Sequence, residues 1–248
     1  MVLLFIKSYQ AYKSISMKST LEIKFIELLK KPVKTSIELQ EIEVIGRKLE
    51  LQYREETSDL ISELKEVGYD FNDVWQMVNT KKPYPKAIRI LLKYLPKDYH
   101  DKNKEGIVRA LTVKEAVGIA SPLLIVEYNK TPKNKLALRW AIGNAIYATI
   151  TKNDIESILP IIQDNENGVS RQMFIRALGK IGSEQAESTL IKLLDDDEVI
   201  LDALNALVKL KSKKAKNKII LLVNHPKSSI RNAAQKALIK YNSCNNLL

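Results

Sequence analysis

Residues 169–186 read VSRQMFIRALGKIGSEQA, an apolar helical pattern built around one small residue, Ala177, and followed by two glycines. Gly179 and Gly182 allow the chain to leave one helix and turn into the next. The same arrangement recurs in both directions. Ala110 stands in IVRAL, Ala145 in AIGNAI, Ala206 in DALNAL and Ala237 in AAQKAL, so the intervals between aligned alanines are 35, 32, 29 and 31 residues. Another apolar helical stretch lies between successive members, at 114–128, 154–162, 184–194 and 215–223, and a further one at 86–95 precedes the first. A period of about 30 residues with two helices per unit predicts an α-solenoid. One helix pair cannot bury its apolar face alone, so neighbours stack and share a core. Alanine at the closest approach brings backbones together without leaving a void.

Upstream, helical spacing continues without a convincing alternating stretch. Leu21, Phe25, Leu28 and Leu29 mark a helix that stops before Pro32. Thr35 and Glu38 form a capping box for a second helix, whose stripe runs Leu39, Ile42, Ile45, Leu49 and Tyr53. Leu60, Ile61, Leu64 and Val67 continue it to a C-terminal stop at Gly68, and a short helix at 73–78 ends before the KKPYP segment at 81–85. The expected fold is all-α: a right-handed α-α superhelix of about five helix pairs over 81–248, preceded by a helical N-terminal segment over 1–80.

At this point the chain resembles a known family. VSRQMFIRALGKIGSEQA looks like a HEAT-like repeat of the short bacterial type, the class also named after phycobilin lyases, and RNAAQKAL (231–238) is a second good copy. LKEVGYDFNDVWQMVNTKKPYPKAIRILLKYL (64–95) resembles the leading part of bacterial HEAT-repeat proteins. The resemblance implies the fold and transfers no activity. HEAT-repeat deoxyhypusine hydroxylases hold a di-iron centre with several His-Glu pairs, whereas this chain has two histidines, His100 and His225, and no His-Glu dipeptide. No bilin site is identifiable. HEAT-like DNA glycosylases read damaged bases with aromatic and acidic residues; Trp75, Trp140 and Tyr147 are aromatic candidates without a matching motif.

The 248 residues, 45% apolar and 28% charged, suffice for a core without disulfides or metals. A single cysteine, Cys244, excludes a disulfide framework and a multi-Cys zinc site. No apolar run reaches the 18 or more residues of a membrane span. The apolar start MVLLFI at 1–6 lacks the flanks of a secretory signal, and Met17 is an alternative start. The expected location is therefore the cytoplasm. No Gly-rich phosphate loop, HExxH or GxSxG motif appears, so no catalytic residue, metal site or cofactor is expected.

Charge is uneven. Forty Lys and Arg face 29 Asp and Glu, a net +11, yet the last acid is Asp202. Lys209, Lys211, Lys213, Lys214, Lys216, Lys218, Lys227, Arg231, Lys236 and Lys240 all follow it. The run KLKSKKAKNK (209–218) reads as a solvated loop or as an electrostatic footprint for nucleic acid or an acidic protein. Six residues before each aligned alanine stand Lys104, Arg139, Arg171, Ile200 and Arg231. This basic ladder either bonds acidic or carbonyl groups at the preceding turn, as Asp164 before Arg171 allows, or forms a stripe for phosphate or carboxylate. Asp195, Asp196, Asp197 and Glu198 suit the following helix N-terminus and lack EF-hand spacing.

Two functions stay open. One is a non-enzymatic adaptor, scaffold or inhibitor that grips a protein partner on the inner face through Arg139, Trp140, Asn144, Tyr147, Arg171, Gln172 and Arg231. The other is a nucleic-acid-binding protein, a HEAT-like glycosylase or regulatory factor, using Lys209, Lys211, Lys213, Lys214, Lys216 and Lys218. Oligomeric state is not legible.

Overall fold

The structure, a computed structural model, describes residues 19–182 and 184–245, with side chains through Tyr241. The apolar stretch 1–6, Met17 and the Cys244 side chain lie outside the described residues. Four helices come first: α1 Thr20–Lys30, α2 Ser36–Glu56, α3 Ser58–Glu66 and α4 Val74–Asn79. Thr35 and Glu38 form the expected capping box, Glu38 N–H donating to Thr35 Oγ1 at 3.2 Å and Thr35 N–H to the Glu38 carboxylate at 2.8 Å. Ser19 and Glu22 build a second box on α1. Phe25 and Leu28 pack on Ile42, Ile45 and Leu49. Leu39, read as part of the same stripe, is instead exposed. Gly68 takes φ +95°, a left-handed conformation that ends α3.

Five helix pairs follow: α5 Ala87–Tyr94 with α6 Asp101–Ala110, α7 Ser121–Lys130 with α8 Leu136–Thr149, and α9 Ile155–Gln163 with α10 Gln172–Ile181. The last two are α11 Glu187–Lys192 with α12 Ile200–Leu210, and α13 Lys216–Leu221 with α14 Ser228–Asn245. All five aligned alanines fall on second helices of these pairs and all are buried. Among the described residues there is no strand, and the fold is an all-α solenoid. None of the described helices is long and apolar enough to cross a membrane.

Contacts divide the chain into two compact units, residues 19–116 with Asn129–Ile142, and Val117–Tyr128 with 143–245. In the second unit α10 packs on α12 and α12 on α14, while α9, α11 and α13 each pack on the second helix of their own pair. Tyr128 anchors the core of this unit, its ring edge-on to Phe174 at 4.6 Å and its hydroxyl 2.6 Å from Ser170 Oγ.

Two sequence readings change. The stretch 114–128, read as one helix, is a short 3-10 turn Lys114–Ala116 followed by α7. Gly118 between them takes φ +74° and its N–H donates to Thr149 O at 2.8 Å. Pro122, without an N–H, is accommodated at no cost in the first turn of a helix, which is where it stands in α7. The glycines 179 and 182 also separate in role. Gly182 ends α10 at φ +71°, as expected, whereas Gly179 lies inside α10, where a Cβ would stand 2.7 Å from the Ala206 Cα. Its missing side chain sets how closely α10 and α12 approach.

Candidate functional site

The basic ladder resolves into one repeated contact. Lys104 Nζ donates to the carbonyls of Leu95 and Lys97, at the carboxyl end of α5. Arg139 donates to Thr131 O at 2.8 Å, just past α7. Arg171 donates to Ile162 O at 3.5 Å in the last turn of α9, and Arg231 to His225 O at 2.9 Å and Pro226 O at 2.7 Å. In these four pairs, a cation near the start of the second helix meets carbonyls that the end of the first helix leaves without intrahelical donors. A positive charge there also opposes the negative end of the helix dipole. Ile200 breaks the series because it carries no charge.

Arg171 is the most deeply placed of the ladder, with no exposed surface. Besides Ile162 O it donates to Gly168 O and Asn165 Oδ1, each at 2.9 Å, and to the carboxylates of Asp196 at 2.8 Å and Glu198 at 3.2 Å. Its acids therefore come from the turn after α11. The acidic cluster holds both sides of that turn. Asp195 pairs with Lys218, and Asp197 sits 2.9 Å from Lys227 and 3.6 Å from His225 Nε2. Asp196 Oδ1 also accepts the Glu198 N–H, a local turn cap. Among the described residues no cluster of His, Cys, Asp or Glu has the form of a metal site.

The remaining residues singled out by sequence divide by exposure. Arg139 is buried. Trp140 is 50% exposed on α8, with Leu136 one turn earlier at 60% and the Arg109 guanidinium 5.9 Å from the indole centroid. Asn144, Gln172 and Arg231 are half-buried. Tyr147, also half-buried, lies under the Lys180 ammonium, which is 4.9 Å from its ring and donates to Tyr147 O at 2.9 Å. Of the lysine run, Lys218 and Lys214 pair with Asp195 and Glu187. Lys209, Lys211 and Lys213 are exposed and Lys216 half-buried, without an ion pair among the described residues.

Two arrangements escaped the sequence reading. The buried Asp202 carboxylate accepts from Arg176 Nε at 2.5 Å, tying α10 to α12. The signal was available: Arg176 precedes aligned Ala177 by one residue, on the side of α10 facing the next repeat. The second lies in the first unit. His100 caps α6 by accepting the Lys102 N–H on Nδ1 at 3.2 Å. That leaves Nε2–H to donate to Glu22 at 2.7 Å. Tyr53 OH donates to the same carboxylate at 2.6 Å and Ser19 N–H at 2.9 Å. Burial opposes ionisation of Glu22, but the hydrogen bonds from His100, Tyr53 and Ser19 outweigh it and bring its pKa down to about 2. A cluster joining positions 22, 53 and 100 has no local sequence signature.

No curated protein matches the chain. Residues 155–240 match the HEAT repeats family, so the segment from α9 through most of α14 is similar to HEAT repeats in sequence as well as in its stacked helix pairs.

Proposed function

We propose that the protein is a non-enzymatic interaction module that grips a protein partner, with Trp140, Leu136 and Arg109 as the anchor in its first unit. The observation that carries this reading is the exposure of Trp140. A tryptophan half open to solvent, with an exposed leucine one turn away and an arginine against its ring, is the chemistry that dominates binding energy at protein interfaces. The HEAT repeats match supports it, since such repeats typically mediate protein interactions. The arginine ladder has a different part in this reading. Arg139 and Arg171 are buried frame residues that hold helix pairs in register, and the exposed residues beside them make the contacts.

The test is affinity capture from the native cell with the wild-type chain and with Trp140→Ala. Loss of an anchor of this kind costs about 2 kcal/mol or more, a drop of at least about thirtyfold in affinity. Because Trp140 is half exposed, the variant should keep its thermal stability. A folded Trp140→Ala that retains every captured partner at wild-type yield would overturn the assignment of this patch.

A further inference from the structure

The second helices of the second unit carry charge of almost one sign. Over 143–149, α10, α12 and α14 the single acid is Asp202, already engaged by Arg176, whereas the bases are Arg176, Lys180, Lys209, Arg231, Lys236 and Lys240. The other acids of this unit lie on first helices or in turns. The bases, moreover, share registers. Lys180, Lys209 and Lys240 each stand three residues after an aligned alanine, and Arg176, Asn205 and Lys236 each stand one before. All six side chains are exposed. Each helix thus presents two of them one turn apart, and neighbouring helices repeat the pattern. This is a different register from the buried ladder: its side chains are exposed, Lys209 and Lys240 have no ion pair among the described residues, and Lys180 donates to Tyr147 O and Ala148 O from the surface.

We propose that this row of second helices binds the phosphate backbone of double-stranded nucleic acid, with Lys180, Lys209 and Lys240 as successive phosphate contacts. The proposal is independent of the Trp140 patch, which belongs to the other unit. Packed helices lie about 8–10 Å apart, and each strand of a duplex offers a phosphate about every 3.4 Å of its axis, so every rung meets one. The neutral neighbours suit the same ligand. Gln172, Asn205, Asn232 and Gln235 supply amide donors of the kind that contact phosphate oxygens. A protein-binding face would have an apolar centre with lysine depleted. Among the described residues of α10, α12 and α14, Ile239 is the one large apolar side chain that is exposed. Open stacking platforms for unpaired bases are lacking among the described aromatics of this row: Phe174 is buried, Tyr147 is half-buried under the Lys180 ammonium, and the Tyr241 hydroxyl donates to Leu207 O at 3.1 Å.

The experiment measures fluorescence anisotropy of the full chain with a 20-base-pair DNA duplex, a matched RNA duplex, the single strand and poly-glutamate, each across a salt series. Duplex binding should weaken linearly in log–log form. Lys180→Gln/Lys209→Gln/Lys240→Gln should lower the slope by about 2.7, at about 0.9 per lost phosphate contact. The loop variant Lys213→Gln/Lys214→Gln/Lys216→Gln/Lys218→Gln should change it by less than about one, because Lys214 and Lys218 already face acids. All seven replaced lysines lie at the surface or are half-buried, so an unchanged melting temperature checks that both variants fold. The proposal is overturned by wild-type protein that fails to bind duplex at about 50 mM salt. A triple variant with an unaltered slope, or poly-glutamate bound more tightly than duplex, overturns it equally.

Discussion

Replacing Gly179 with alanine sets two effects of similar size against each other. Glycine inside a helix costs about 1 kcal/mol relative to alanine, so on an exposed helix the change would stabilise. At 179 the new Cβ would stand 2.7 Å from the Ala206 Cα and 3.0 Å from its Cβ. Carbon atoms pack best at about 3.5–4.0 Å, so the methyl group arrives about 1 Å too close to a backbone atom that cannot rotate away. α10 and α12 must then separate along their shared face, where Ala177, Leu178, Ala203, Ala206 and Leu207 are all buried. Overpacking of this kind costs about 1–3 kcal/mol, and a wider gap also forfeits contacts on either side of the clash. The net expectation is destabilisation by about 1–2 kcal/mol. Gly46→Ala is the internal control. It sits in the middle of α2, and its Cβ would meet the Phe25 ring at 3.5 Å, an ordinary contact. Gly46→Ala should therefore stabilise by about 0.5–1 kcal/mol. Urea unfolding followed by circular dichroism reads both variants. Gly179→Ala as stable as the wild type, or both glycines responding with the same sign, would refute the close approach of α10 and α12.

Three further outcomes follow from the geometry. Lys211 closes α12 in the left-handed region at φ +54°, the position that Gly182 fills for α10, so Lys211→Gly should raise stability by about 0.5–1 kcal/mol in the same assay. Arg171→Met leaves Ile162 O, Gly168 O and two carboxylates without their donor, and should cost about 2–4 kcal/mol; a loss under about 1 kcal/mol would mean the guanidinium is not what joins the two turns. Glu22 titrates at about 2 in the folded chain against an ordinary value of 4.5, so its contribution is complete above about pH 4.5 and disappears as pH falls toward 2. Allowing for solvent screening, that contribution is about 1–2 kcal/mol. Glu22→Gln should be less stable than the wild type at pH 6, and the two should converge near pH 2; parallel pH profiles would count against the His100–Tyr53–Ser19 cluster.

What the sequence disclosed, and what it withheld, follows from the range of each interaction. Helix pairs, the Thr35 capping box and the Gly68 and Gly182 stops depend on residues within a turn or two of each other, and they can be read from spacing. The split at Gly118 was missed because apolar periodicity ran straight through it, and the backbone N–H that needed a partner found one 31 residues away, at Thr149 O. Glu22 and His100 meet only through the packing of the first unit. The arginine ladder was visible, with bonding to the carbonyls of the preceding turn as one of its two possible uses, but spacing did not choose between them. Whether Arg171 faces a partner or its own turn depends on where the α9 carbonyls end, which spacing does not encode.

Register around the aligned alanine decides what becomes of a charge. Six residues before it, at the start of the second helix, a long cation lies beside the carboxyl end of the preceding first helix. Bare carbonyls there reward burial, and Arg139 and Arg171 are accordingly inside. Three residues after it, one turn below the tight contact, a side chain stays at the surface: Lys209 and Lys240 have no ion pair among the described residues, and Lys180 reaches over the Tyr147 ring to donate to Tyr147 O and Ala148 O. Selection on the first register is therefore selection on stability, and exchange of its arginines for glutamine should be read out by unfolding. At Lys209 and Lys240 the second register is under no such constraint, since glutamine there would serve the fold equally well, whereas Lys180 also holds the Tyr147 and Ala148 carbonyls. Lys209 and Lys240, in phase with Lys180 but without a structural partner among the described residues, are the reason to seek the function of this row in a ligand.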